Sequence, residues 1–126
     1  MSPSVLIVDD EDEIAETLRE LLTAEGFEVT IANNGLDGLE RVREARPDVV
    51  LRDIMMPVMD GRAMCRALRA DPATADLPIV VMTAGGSMGR DTCDYTALLR
   101  KPFDVDVLID LLRRCARHRP EADPSA

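Results

Sequence analysis

The segment "DVVLRD", residues 48–53, decides the fold. Its apolar run is broken only by Arg52 and ends in Asp53. A short, nearly continuous apolar run is what a strand covered on both faces looks like, and such strands belong to parallel sheets. A carboxylate at the end of that run lies on the rim of a hydrophobic core, an expensive position for a lone charge.

Outward from this segment the chain alternates strands with helices. "SVLIVD" (4–9) is a second apolar run. Residues 11–25 carry Ile14, Leu18, Leu21 and Leu22 at helical spacing, with an acidic first turn and Gly26 in the position of a C-cap. "FEVTI" (27–31) alternates apolar and polar residues, which predicts a half-buried edge strand. Leu36, Leu39 and Val42 predict a helix that ends before Pro47. A third helix is expected over about 61–70, a strand at "IVVM" (79–82) and a short strand at "ALLR" (97–100). Val107, Leu108, Leu111, Leu112 and Cys115 line a last amphipathic helix. The stretch "TAGGSMGRDTCDY" (83–95) is ambiguous, because its three glycines weaken any helix there.

Strict alternation implies an α/β fold, a doubly wound five-stranded parallel sheet with helices on both faces. Right-handed crossovers and the edge character of 27–31 favour strand order 2-1-3-4-5. Ligands of such sheets bind beyond the carboxyl ends of the strands, at the switch point between the first and third. Asp9, Asp10 and Asp53 stand at those two ends, Thr83 at the end of the fourth strand and Lys101 at the end of the fifth. Five polar residues far apart in sequence therefore converge on one edge.

Composition narrows the function. The 126 residues suffice for one domain with a real core. The net charge of −9 argues against direct nucleic-acid binding, which needs clustered Lys and Arg. Cys65, Cys93 and Cys115 show no CxxC spacing and read as reduced thiols packed as small apolar groups in a cytoplasmic protein. No signal peptide or membrane span is visible. A domain over residues 1–118 and a disordered tail over 119–126, "RPEADPSA", are expected.

Three carboxylates together repel: two unit charges 4 Å apart cost about 4 kcal/mol at an effective dielectric of about 20. They call for a cation, and oxygen-only donors suit Mg²⁺ or Mn²⁺. A cation, a lysine and a threonine hydroxyl beside a carboxylate form a phosphoryl-transfer site, with Asp53 as the nucleophile. Glu11, Asp12 and Glu13 have a plainer reading as an acidic helix start. Met55, Met56, Met59 and Met64 read as packing, since hard cations prefer oxygen. His118 is read as a cation suited to a helix C-terminus.

With "VLIVDDE" (5–11), "PDVVLRDIMMPVMDG" (47–61), "VMTA" (81–84) and "KPF" (101–103) in hand, the chain resembles a response-regulator receiver domain of two-component signalling over residues 4–117. The resemblance implies a flavodoxin-like fold and a phosphoryl group taken by Asp53 from the phosphohistidine of a sensor histidine kinase or a histidine phosphotransfer protein. It implies that Asp10, Asp53 and the backbone carbonyl of Met55 ligate Mg²⁺ directly and that Asp9 contributes through water. Thr83 and the backbone N–H of Ala84 would contact the phosphoryl oxygens. Lys101 would pair with them, and Pro102 would be cis. Such a domain catalyses only its own phosphorylation and dephosphorylation.

Departures from the family pattern stand beside the match. Arg52 replaces a residue that is usually apolar or small; it reads either as a side chain snorkelling at the sheet rim or as a standing counter-charge for the acids. The switch aromatic expected three residues before the lysine is Leu98. Only seventeen residues separate Thr83 from Lys101, so the fourth helix is expected to be short or partly glycine-rich loop. The reading is a stand-alone receiver that acts on an unidentified protein target, or a carrier in a phosphorelay, with no nucleic-acid or membrane partner. A Mg²⁺-dependent phosphatase with an aspartate nucleophile is the competing class. It requires an acid two residues after Asp53, where Met55 stands.

Overall fold

Five apolar runs pair as the strands of one parallel sheet: β1 (Ser4–Val8), β2 (Glu28–Ala32), β3 (Val49–Asp53), β4 (Ile79–Thr83) and β5 (Ala97–Arg100). The order is β2-β1-β3-β4-β5, as the alternation predicts. Helices α1 (Asp12–Ala24), α2 (Gly35–Glu44), α3 (Val58–Ala70) and α4 (Val105–Arg117) lie between and after them. The computed structural model describes residues 2–53, 58–83, 96–100 and 104–117, with 58–62 described by backbone alone. The expected short fourth helix within 83–95 and the cis Pro102 lie outside the described residues, as do Cys93, His118 and the tail.

β1, β3 and β4 are central and buried along nearly their whole length, whereas β2 alternates, as an edge strand should. The pleat divides the apolar residues into two cores. Val5, Ile7, Val49, Leu51, Val80 and Met82 face α1 and α4. Leu6, Val8, Val50, Ile79 and Val81 face α2 and α3. Burial at about 25 cal/mol per Å² of apolar surface is the main term holding the layers together.

Turn chemistry aims the helices. α1 ends in a Schellman motif. Phe27 N–H donates to Leu22 C=O at 3.1 Å and Gly26 N–H to Thr23 C=O at 3.0 Å, with Gly26 at φ 98°. Leu22 and Phe27 then pack in one core. α2 is capped by Asn34, whose side chain accepts from the N–H of Asp37 at 2.8 Å. Arg113 of α4 donates to the Glu25 carbonyl at 2.8 Å, and its guanidinium lies 5.6 Å from the Phe27 ring centroid. That ties the last helix to the end of the first.

Four expectations need correction. Leu21 is 39% exposed, because the buried stripe of α1 runs through Ala15, Leu18 and Leu22. Leu36 is 68% exposed, because the inward positions of α2 belong to Gly35, Gly38 and Val42. The glycines bring the helix close: a Cβ on Gly38 would stand 2.9 Å from Met64 Sδ and 3.2 Å from Val8 Cγ2. Val107 is 50% exposed, because the buried stripe of α4 runs one residue over, through Leu108, Ile109, Leu112 and Cys115. Cys65 is half of a disulfide rather than a reduced thiol; its partner lies outside the described residues. Pairing depends on Cβ atoms meeting in space, which sequence spacing does not show. Cysteine usage therefore gives no argument for a reducing compartment. Cys115 is free and buried, and burial pushes its thiol pKa up, partly offset by Arg114.

Gly26→Ala tests the turn. A Cβ there meets no atom within 4 Å, so the penalty is conformational, about 1–2 kcal/mol for a left-handed L-residue. Urea denaturation should show that loss; an unchanged midpoint would mean that the turn relaxes freely.

Candidate functional site

Register, not proximity in sequence, builds the site. Val8 of β1 pairs with Arg52 of β3. The residues that follow, Asp9 and Asp53, therefore stand side by side on adjacent strands, about 5 Å apart between backbones. Alternation along each strand places both on the face covered by α1 and α4. Asp9 is 0% exposed and Asp53 2% exposed. One oxygen of Asp9, Oδ1, accepts from the N–H of Glu11 at 2.9 Å, which fixes the turn into α1. Asp10, next to this pair in sequence, is exposed.

Asp53 itself pairs with Met82, and Thr83 with Arg100. Thr83 thus stands one step further along β4, 3% exposed, at the same carboxyl edge but on the other side of the pleat. Lys101 follows β5 directly in sequence and lies outside the described residues, together with Met55 and Ala84. Of the seven residues predicted for the site, the structure gathers Asp9, Asp10, Asp53 and Thr83 at one edge.

One feature of this edge was not assigned to it from sequence, and one of the two readings of Arg52 is removed. Asn33 Nδ2 donates to Asp12 Oδ1 at 2.6 Å, joining the β2–α2 turn to the start of α1. The "NNG" turn signal located Asn33 but not this bond. Arg52 is 0% exposed and among the largest fully buried side chains, so it does not snorkel. A cleft of about 370 Å³ lined by Ser4, Glu28, Thr30, Arg41 and Pro47 lies at the opposite, amino edge of the sheet, away from the acids.

The donors at the carboxyl edge are oxygens, which fits a hard divalent cation that keeps several waters. Among the described residues no three His, Cys, Asp or Glu side chains surround one metal position.

The chain matches a known family in sequence and in fold. The model of the response regulator receiver domain matches residues 5–113. The response regulator MprA of Mycobacterium ulcerans is 36% identical over 130 residues, covering 100% of this chain and 55% of that protein. MprA of Mycobacterium leprae is 38% identical, covering 97% and 54%. The chain spans about half the length of these curated relatives. Among solved structures, the Vibrio cholerae chemotaxis protein CheY4 superposes with a TM-score of 0.80 at 32% identity, covering 91% of this chain and 99% of that one. The receiver domain of the sensor histidine kinase PA1611 of Pseudomonas aeruginosa, solved with magnesium in its active-site cleft, gives a TM-score of 0.83 at 26% identity, covering 93% and 99%. A doubly wound sheet of this order binds its ligands at the switch point, where these acids stand. This chain belongs to the response regulator receiver domain family of two-component signalling. No helix among the described residues is long and apolar enough to cross a membrane.

Mg²⁺ should stabilise the fold, because it offsets the repulsion of the buried acids. A ligand at 100 times its dissociation constant adds about 2.7 kcal/mol. Thermal melts with Mg²⁺ and with chelator check this. An unchanged melting temperature, in a protein that binds no Mn²⁺ either, would remove the cation from the site.

Proposed function

We propose that this receiver accepts one phosphoryl group on Asp53 from a phosphohistidine, in a Mg²⁺-dependent reaction, and then signals by contact with another protein. The observation that carries this reading is the registered, almost fully buried pair of Asp9 and Asp53 at the switch point of the sheet.

The residues have separate tasks. Asp53 Oδ attacks phosphorus, an O–P bond forms, and the P–N bond of phosphohistidine breaks with the electron pair leaving on the imidazole. Asp10, Asp53 and the backbone carbonyl of Met55 would hold the cation, with Asp9 contributing largely through water. When bound, Mg²⁺ (or Mn²⁺) lowers the repulsion between the entering phosphoryl oxygens and these acids. Thr83 donates its hydroxyl proton, Ala84 its N–H and Lys101 its ammonium protons to the phosphoryl oxygens, which carry the developing charge. Near-complete burial of Asp53 keeps bulk water from the nucleophile until a donor docks.

The partners that fit are a sensor histidine kinase or a histidine phosphotransfer protein on the input side and a protein target on the output side, in the cytoplasm. The domain serves as a switch, or as a carrier that hands its phosphoryl group to a second histidine. The net charge of −9 disfavours direct contact with nucleic acid.

Incubation with acetyl phosphate and Mg²⁺ should add one phosphoryl group to the wild type by intact mass. Asp53→Asn should gain none, since an amide is neither nucleophile nor anionic ligand. Labelling that persists in the variant would assign the acceptor elsewhere.

A further inference from the structure

The turn that carries Asp9 and Asp10 is anchored at both ends by two consecutive residues from the end of β2. Asp9 N–H donates to the carbonyl of Ala32 at 3.1 Å. Asn33 Nδ2 donates to Asp12 Oδ1 at 2.6 Å, a short bond of the charge-assisted kind. Between these anchors the Glu11 N–H donates to Asp9 Oδ1 at 2.9 Å. Helix α1 brings no side-chain cap of its own: its N-cap is Glu11, whose side chain accepts no bond from the first turn, at a position that Ser, Thr, Asp or Asn ordinarily fills. Asn33 is itself fixed. Its N–H donates to Asp37 Oδ2 at 3.4 Å, while the Asn34 side chain accepts from the Asp37 N–H at 2.8 Å, a reciprocal cap on the first turn of α2. Asn33 and Asp12 are both exposed, so their bond adds nothing to either core. What it fixes is the path of the acid turn between strand and helix.

We propose that Asn33 is a positioning residue for the cation: by holding Asp12 it sets where the backbone of Asp10 stands, and so raises the affinity of the acid edge for Mg²⁺. This rests on the reading of Asp9, Asp10 and Asp53 as the acids that meet the cation. Asp10 is exposed and has an anchored residue on each side, Asp9 directly before it and Asp12 two positions after. A turn free to move must give up that freedom when a cation binds, whereas a turn already held gives up less. Groups that orient metal ligands from behind account for about ten- to hundredfold of affinity, and an exposed bond such as this one belongs at the lower end. Charge and position predict opposite outcomes at residue 33. An added acid there draws a cation in by Coulomb attraction, but against Asp12 it replaces the bond with repulsion.

The test compares wild type with Asn33→Ala, with Asn33→Asp, and with the exchanged pair Asn33→Asp plus Asp12→Asn, in which donor and acceptor trade places and the net charge is unchanged. Urea denaturation in chelator checks that each is folded. Mg²⁺ affinity is measured by titration calorimetry, and hydrogen exchange of the amides of residues 10–15 is followed in chelator. Asn33→Ala should bind Mg²⁺ about tenfold more weakly. Asn33→Asp should also bind it more weakly, against the pull of its extra charge. The exchanged pair should return close to wild type, and the amides that exchange faster in both single variants should slow again. A bond that served the fold alone would move the urea midpoint and leave the Mg²⁺ affinity of the folded protein where it was. Unchanged affinity in Asn33→Ala, tighter binding in Asn33→Asp, or an exchanged pair no better than the single variants would each overturn the proposal. A wild type that binds neither Mg²⁺ nor Mn²⁺ would overturn the cation reading itself, and this proposal with it.

Discussion

Two carboxylates set side by side with almost no solvent are the constraint around which the carboxyl edge of this sheet is organised. Parallel pairing of β1 with β3 makes their closeness unavoidable: once Val8 is opposite Arg52, Asp9 and Asp53 must follow together. The sheet cannot slip by one residue to relieve them. Such a slip would turn Val5, Ile7, Val49 and Leu51 out of one core and into the other. The apolar pattern that stabilises the fold thus also sets two carboxylates against each other at one end of it, and in the proposed function a divalent cation and a phosphoryl group act upon that pair.

The elements around this edge hold the acids in place. The Asp9 carboxylate accepts from the Glu11 N–H, so one functional side chain is also part of the turn into α1. Asn33 fastens Asp12 from the next loop, and the Asn34 cap starts α2 directly after it. Further away, the Schellman turn at Gly26 and the Arg113 contacts fix α1 and α4 to each other. Those two helices cover the face on which Asp9 and Asp53 lie. A rigid scaffold of this kind suits the proposed task of registering one added charge.

The strand order and the acid edge were legible in the sequence because both rest on periodicity. The half-polar 27–31 marks an edge strand, the solid apolar runs mark central ones, and a strand that ends in aspartate marks the rim. Helix faces were less legible. Leu36 looks like a core residue until Gly35 and Gly38 are seen to occupy the inward positions of α2, since a pattern of apolar side chains gives no weight to a residue with none. Val107 failed for a related reason, a stripe displaced by one residue on a helix with apolar residues at several adjacent positions. The disulfide at Cys65 depends on a meeting in space that no spacing rule encodes. Arg52 was visible as a departure, but its full burial was not. A long amphipathic side chain one residue from a rim has the reach either to snorkel or to turn in, and only packing decides.

The central claim is that the fold holds Asp53 against electrostatic cost, and urea denaturation of Asp53→Asn beside wild type in the presence of a chelator tests it most directly. Removing one of two adjacent buried charges should make the metal-free variant more stable, by at least about 1 kcal/mol given the size of like-charge repulsion at such distances. Its stability should also no longer respond to Mg²⁺. A variant that is less stable than wild type without metal would contradict the account, because repulsion between Asp9 and Asp53 would then not dominate what Asp53 contributes to the fold.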